Sequence, residues 1–382
     1  MSDEYQIQQI LAKAPVTEAV QLDTYGDSAG RWYAAKILYS DAAASRASLE
    51  SIGARKRPVT LARLAAASAE VGNSGDAARF TQEAIRTTSE SLVDEFRLRD
   101  LADVAVLLGT AGQTDTAKKI AHDVIAQVDA LPPSGGGSHG LPDLEGMSRF
   151  GSIERAVQAL EIVGDIQEAR TVTISHLGLD RSNFDTDYFL RITQPHRLFD
   201  VASQSGSPYF TDWEHGIRAL AQGDLGDFDL AVQEAGYIKD APFREDTMNT
   251  LSALMANAGQ IEKAVAIEGT GIVPRLALAV AYSRIGQRTR AVTQWNDAYS
   301  KTKSIRDSPT RDFMLSKAAM ALAQMNRLRW AKKIADECSS PIDRLDAYTV
   351  ILAEYTGNKR PNLRGAIDSI VFYPGDITPA RP

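Results

Sequence analysis

The chain has 382 residues, 44% apolar and 24% charged, the balance of a folded globular protein rather than a disordered one. Its 42 basic and 49 acidic residues give a formal net charge of −7, which argues against a dedicated nucleic-acid binder. A single cysteine, Cys338, excludes an intramolecular disulfide and a thiolate-rich metal site. An acidic N-terminus and the lack of a long apolar run predict a cytoplasmic protein that does not insert into membranes.

The first 51 residues show helical periodicity without any repeated motif. Aromatic residues make up only 7% of the chain, and alanine recurs in runs such as Ala65–Ala67, which favours closely packed helices over strands. We expect residues 1–51 to form an N-terminal helical cap, covering the exposed N-terminal hydrophobic face of a helical array.

From residue 52 a pattern recurs: an Ala-rich helix, a glycine, an alanine five residues later and a second apolar helix. The glycine would end the first helix with a positive φ angle, and the small alanine would let the second helix pack closely. The pairs are Gly72–Ala77, Gly112–Ala117, Gly164–Ala169, Gly259–Ala264 and Gly286–Ala291, with Asn326 replacing glycine before Ala331 and Gly223 preceding Phe228 instead of alanine. The pattern predicts an all-α fold, an α-solenoid of stacked antiparallel helical hairpins.

Two segments interrupt the hairpins. A Pro/Gly-rich linker at 132–146 separates hairpins over 52–131 from hairpins over 147–370, either as a loop within one superhelix or as a boundary. An irregular, aromatic-rich insert spans 181–230 within the second set. The C-terminal tail, 371–382, is expected to be disordered or to lie along the surface.

The segment from Tyr282 to Ala298 resembles the core of a tetratricopeptide repeat. Tyr282 stands four residues before Gly286, and Ala291, Trp295 and Ala298 follow at that family's offsets. Weaker copies are Gly72–Ala77–Thr81–Ala84, Gly112–Ala117–Ala121–Val124 and Asn326–Ala331–Ala335–Cys338. The resemblance covers about residues 52–370 and implies a right-handed solenoid in which the first helix of each hairpin lines a concave binding surface.

That family register also implies which side chains would face the groove. They are Arg99, Glu154, Gln158, Glu161, Asn249, Leu276, Ser316 and Met320, together with Ala62 and Ala66. The family's carboxylate clamp, with its paired Lys and Asn, is not matched at these places, so a chaperone co-factor is not expected. A mostly small and apolar groove with scattered polar groups suits an extended or helical peptide.

The aromatic-rich insert contributes a second candidate surface. Tyr209, Phe210 and Trp213 form either a second contact or dimer interface, or a local core beneath an irregular loop.

No catalytic motif, metal-ligand spacing or cofactor fingerprint is present, so we expect no catalytic residue, no metal and no cofactor. The strongest alternative is the cluster His196, Asp200, Asp212, Glu214 and His215, which could bind a divalent ion or move a proton. Cys338 is expected to be a packed thiol rather than a nucleophile.

Two groups of cations invite a functional interpretation. Arginines near the starts of first helices could line a groove for an acidic peptide, although pairing with acids at the end of the preceding hairpin, such as Asp240 and Asp307, is favoured. These arginines are Arg244, Arg275, Arg311 and Arg344. The basic run over 327–333 is expected to be one exposed helix face.

The favoured hypothesis is therefore a non-enzymatic scaffold or adaptor that binds a peptide or protein segment on its concave face, with no nucleic acid as a partner. It could also form a homodimer or belong to a larger assembly. A peptide-sensing regulator is one alternative, and an all-helical enzyme or metal-binding protein using the His196–His215 region is another.

Overall fold

The computed structural model describes residues 2–22, 28–39, 57–88, 94–131, 144–177, 227–267 and 271–357, together with 212, 215, 216, 219 and 223. Every secondary-structure element in this part of the chain is an α-helix, which confirms the all-α prediction. The tail predicted at 371–382 lies outside the described residues.

The helices follow one another in the order α1 Asp3–Lys13, α2 Val16–Leu22, α3 Ser28–Tyr39, α4 Arg57–Glu70, α5 Ser74–Thr88, α6 Asp94–Thr110, α7 Thr114–Ala130, α8 Leu144–Ile162, α9 Ile166–Leu177, α10 Phe228–Gly236, α11 Ala241–Asn257, α12 Ile261–Ala266, α13 Ile272–Arg284, α14 Arg288–Ser304, α15 Ser308–Gln324, α16 Leu328–Ala335 and α17 Pro341–Gly357. They belong to two compact units, one of Lys36–Gly206 and one of Met1–Ala35 with Ser207–Pro382.

In the unit of Lys36–Gly206, sequential helices pack as the hairpins α4–α5, α6–α7 and α8–α9. We call α4, α6 and α8 first helices; α4 contacts α6, and α6 contacts α8. Helix α7 also packs against α8, so the predicted linker at 132–146 joins helices of one unit. The division between units falls at residue 206, inside the predicted insert 181–230.

The other unit contains the hairpins α11–α12, α13–α14 and α15–α16, followed by α17. Its first helices are α11, α13, α15 and α17, each of which contacts the next. The N-terminal helices lie at the C-terminal end of this series, where α1 contacts α16 and α2 contacts α17. Arg31 Nη2 lies 3.0 Å from Asp346 Oδ1, and Ile7 and Ile10 are fully buried. These contacts of the N-terminal helices are thus with α16 and α17, at the C-terminal end of the series, whereas we expected a cap on the N-terminal face.

The hairpin turns have the backbone that the repeat pattern predicts. The five glycines of the predicted Gly–Ala pairs have φ between 77° and 84°, and Asn326 has φ of 57°. The alanine five residues after each of these positions is at most 5% exposed, and four of the six are fully buried. The left-handed residue reverses the chain, and the alanine allows the two helices to approach closely.

The turn predicted at Gly223 is wrong. Gly223 is a buried helical residue, where a Cβ atom would lie 2.7 Å from Leu251 Cδ2. The second helix of that hairpin, α10, begins after its N-cap Asp227, and its fully buried alanine is Ala231. Residues 224–226 lie outside the described residues.

A repeated hydrogen-bond pattern relates this part of the chain to a later one. Asp212 Oδ2 accepts a 2.7 Å bond from the backbone N–H of Asp240, and Asp312 Oδ2 accepts a 2.7 Å bond from the backbone N–H of Ser340. In both places an arginine at the start of the next helix donates to a backbone carbonyl two residues before the bonded N–H. The two blocks are offset by 100 residues, which pairs Asp227 with Arg327.

Substitution at one turn tests this architecture. We expect Gly286→Ala to lower the free energy of unfolding by about 1–2 kcal/mol, because its φ of 79° is strained for an L residue although no atom would meet the new Cβ. The matched control is Gly236→Ala, where the added Cβ also meets nothing but φ is ordinary, and stability should rise by about 0.4–1 kcal/mol. Guanidinium titration checks both, and equal effects at the two sites would contradict the role of φ.

Candidate binding surface

Four predicted groove residues lie on the adjacent first helices α6 and α8. Arg99 on α6 is exposed, and Gln158 and Glu161 on α8 are half-buried. Glu154 belongs to α8, but its side chain lies outside the described part of the chain. The structure therefore brings Arg99, Gln158 and Glu161 onto neighbouring helices of one unit.

A buried arginine positions this polar surface. Arg155 Nε lies 3.3 Å from Asp103 Oδ1 on α6, and Arg155 Nη1 donates to Gln158 Oε1 at 3.0 Å. Arg155 is only 9% exposed, so its charge is held by these partners rather than by water. The sequence patterns do not single out Arg155. The signal that could have indicated its role is a basic residue on an apolar helix, between the predicted groove positions Glu154 and Gln158.

Three groove candidates on the other unit belong to the core. Leu276, Ser316 and Met320 are all at most 2% exposed, and the Ser316 hydroxyl donates to the carbonyl of Phe313. Ala62 and Ala66 are buried in the same way on α4. First helices are covered by neighbouring first helices and by their own hairpin partners, so these positions pack and do not face solvent.

Asn249 on α11 behaves differently from those buried candidates. Its half-buried side chain lies against the backbone that precedes α13, where a Cβ added to Gly271 would be 2.8 Å from Asn249 Cγ. Asn249 Oδ1 is buried and has no hydrogen-bond partner among the described residues. An unpaired buried acceptor costs about 1–3 kcal/mol, so this amide has unused bonding capacity.

The aromatic-rich insert is described only in part, and Tyr209, Phe210 and Trp213 lie outside the described residues, as do His196, Asp200 and Glu214. His215 Nδ1 lies 2.8 Å from Glu234 Oε2, and its ring packs against Tyr237 at 5.2 Å. Burial alone would raise the pKa of Asp212, but backbone N–H bonds from Lys239 and Asp240 outweigh it and hold that pKa below its ordinary value. Asp212 therefore binds the backbone of Asp240, the N-cap residue of α11, and no metal-ligand cluster occurs among the described residues.

The arginines at the starts of first helices have mixed partners. Arg275 Nη1 lies 3.5 Å from Asp297 on α14, an acid of its own hairpin rather than one at the end of the preceding hairpin as expected. Arg244 and Arg344 donate instead to the backbone carbonyls of Ile238 and Cys338. These two arginines therefore hold the chain segments that precede α11 and α17 against those helices.

The basic run over 327–333 forms an exposed surface on α16, as expected. Arg327, Arg329, Trp330 and Lys333 are exposed, whereas Leu328 is buried. Lys332 is also buried and bonds Asp336 at 2.6 Å. The exposed cations of this helix are therefore separate from its buried ion pair.

Cys338 is a packed thiol. It is 1% exposed, its Sγ lies 3.6 Å from the carbonyl oxygen of Asp312, and burial together with nearby Asp343 raises its pKa to about 12. The thiolate is the reactive form, and at this pKa roughly one thiol in ten thousand is ionised at pH 8.

We therefore expect Cys338 to react with a disulfide reagent at pH 8 on the order of a thousand-fold more slowly in the folded protein than in guanidinium. Absorbance of the released thiolate measures both rates on the same sample. Rapid labelling of the folded chain would contradict the packed position of this residue.

No helix of the described residues is both long enough and apolar enough to cross a membrane.

No protein-family model and no curated protein matches this chain. Among solved structures, the chain is similar to the crystal structure of Ton1535 from Thermococcus onnurineus NA1, at 16% identity over 91% of each chain. The TM-score of that superposition is 0.28, which supports no conclusion about fold or function.

Proposed function

We propose that the chain is a non-enzymatic scaffold or adaptor of the cytoplasm, built as a tetratricopeptide-like right-handed α-solenoid, that holds a peptide or protein segment on its first helices. The repeated left-handed turns and buried alanines support the solenoid, because each hairpin can then stack on its neighbour in the same way. First helices contact one another in series within each unit, which provides a continuous surface for an extended segment.

The observation that carries this proposal is the amide of Asn249. Its Oδ1 is buried without a hydrogen-bond partner among the described residues, and its Nδ2 belongs to the same half-buried group. A side-chain amide has one acceptor and two donors, which match the N–H and C=O groups of an extended peptide backbone. A bound segment would supply a hydrogen-bond partner for the Oδ1 atom, which has none among the described residues.

Asn249→Ala tests the proposal. We expect the variant to be as stable as the parent protein or slightly more stable, because it removes an unpaired polar group. Binding should weaken by about 5–30-fold, since a hydrogen bond to the partner is lost. The partner is first identified by quantitative mass spectrometry after tagged full-length protein is purified from its native host, and affinity is then measured by calorimetry.

The matched control is Asn296→Ala, an asparagine on α14 that is exposed. That variant should retain the partner at the affinity of the parent protein. The proposal fails if no stoichiometric partner is recovered, or if Asn249→Ala and Asn296→Ala retain it equally.

A further inference from the structure

Two consecutive hairpin turns in the unit of Ser207–Pro382 carry exposed cations. Arg288 and Arg290 begin α14, and Arg327 and Arg329 flank the start of α16. Lys333 lies one turn further along α16, with its ammonium over the ring of Trp330. We call this surface, made of Arg288, Arg290, Arg327, Arg329, Trp330 and Lys333, the basic edge.

Contacts further along the two helices place both turns at the same end. The Tyr299 hydroxyl on α14 lies 2.9 and 3.0 Å from the carboxylate oxygens of Glu337, and Lys303 Nζ lies 2.9 Å from that carboxylate. Tyr299 stands 11 residues after the start of α14, and Glu337 stands nine residues after the start of α16. Helix α15 contacts both α14 and α16 and is joined to each by three residues, so α14 and α16 run in the same direction. At about 1.5 Å per residue, their first turns therefore lie within one helical turn of the same level.

The charge of the basic edge is not neutralised within the described part of the chain. Residues 271–296 and 313–335 contain no aspartate or glutamate, although the whole chain has a net charge of −7. None of its five cations makes an ion pair among the described residues; Arg290 donates to the neutral amide of Gln287 at 3.0 Å. Glu337, which follows α16, is engaged elsewhere, since its carboxylate binds Tyr299 and Lys303.

These cations also oppose the local helix electrostatics. The other second helices carry an acid in their first turn, as the partial positive charge of a helix N-terminus favours: Asp76 in α5, Asp115 in α7, Glu168 in α9, Asp229 in α10 and Glu262 in α12. Helices α14 and α16 have no acid there and have arginine instead. An arrangement that is unfavourable in the isolated chain becomes favourable when anionic groups bind to it.

Trp330 adds an apolar contact to the edge. It is 56% exposed, an unusual position for a large aromatic ring, and Lys333 stands over it at 5.3 Å. Tryptophan and arginine are the residues most enriched at the energetic centres of protein interfaces. A free inorganic anion would leave this ring unused, and a long nucleic acid would meet the acidic remainder of the chain.

We propose that the basic edge docks a short acidic segment of a partner protein, with carboxylates on the arginines and an apolar side chain on Trp330. This inference rests on the proposed function in so far as the chain is an interaction protein, but it assigns a different surface from that of Asn249. The edge would supply orientation and fast association through charge, while Trp330 would supply contact area.

The probe is a fluorescein-labelled peptide of about 12 residues, made of Glu and Asp around a central Leu-Phe pair, titrated with full-length protein and followed by anisotropy. A second peptide with Gln and Asn in place of the acids is the neutral control. We expect the acidic peptide to bind at 50 mM salt, to weaken about fivefold or more at 300 mM salt, and to bind at least tenfold more tightly than the neutral peptide.

The double variant Arg290→Glu with Arg329→Glu should weaken acidic-peptide binding by about tenfold or more. Its thermal midpoint should equal or exceed that of the parent protein, because acids now stand at the two helix N-termini, so lost binding cannot be ascribed to unfolding. Trp330→Ala should weaken binding about three- to tenfold with an unchanged salt dependence. The control Lys119→Glu with Arg306→Glu alters net charge equally at exposed cations outside the edge and should retain binding.

Three outcomes would overturn the inference: equal binding of the acidic and neutral peptides, equal loss in the edge and control variants, or tighter edge-dependent binding of a single-stranded oligonucleotide than of the peptide. Asn249→Ala should leave peptide binding unchanged. If the parent protein does not bind the acidic peptide but captures a partner that depends on Asn249, only this inference is refuted. If it binds the acidic peptide through the edge but captures no such partner, only the proposed function is refuted.

Discussion

The close approach of the two helices at each hairpin turn is the contact on which the rest of this structure depends. It requires a residue with left-handed backbone to end the first helix and a small residue five positions later, because a larger side chain there would hold the helices apart. The described turns meet both conditions, because five glycines and Asn326 have positive φ and the alanine five residues after each is buried. This constraint also explains a composition rich in alanine and poor in aromatic residues.

Local rules of this kind are readable from sequence, and they predict the turns at five glycines and at Asn326. At Gly223 they fail, because this glycine lies within a helix and packs against Leu251, which is distant in sequence. The bond from the Asp240 backbone to Asp212, whose counterpart joins Ser340 to Asp312, is also a contact that local sequence does not reveal. The residue at which a hairpin turns therefore depends on tertiary contacts as well as on the local sequence.

The candidate binding residues show the same difference between what local sequence predicts and what tertiary contacts decide. The tetratricopeptide register implies groove positions on first helices for Arg99, Gln158 and Asn249, and the structure leaves these side chains exposed or half-buried. The same register could not show that Leu276 and Met320 are covered by the helices beside them. Nor could it show that α1 contacts α16 and α2 contacts α17, with Arg31 paired to Asp346. Burial depends on which elements meet, and no spacing within one helix records that.

The two surfaces proposed for binding share a physical character that separates them from the fold. The alanines and left-handed turns improve packing in the isolated chain. In contrast, the Asn249 side-chain carbonyl, which has no partner among the described residues, and the arginines at the starts of α14 and α16 work against stability. The five other second helices show that acids suit these positions in the same architecture. Residues that break a local rule without a gain in the folded chain are expected where a partner supplies the missing interaction.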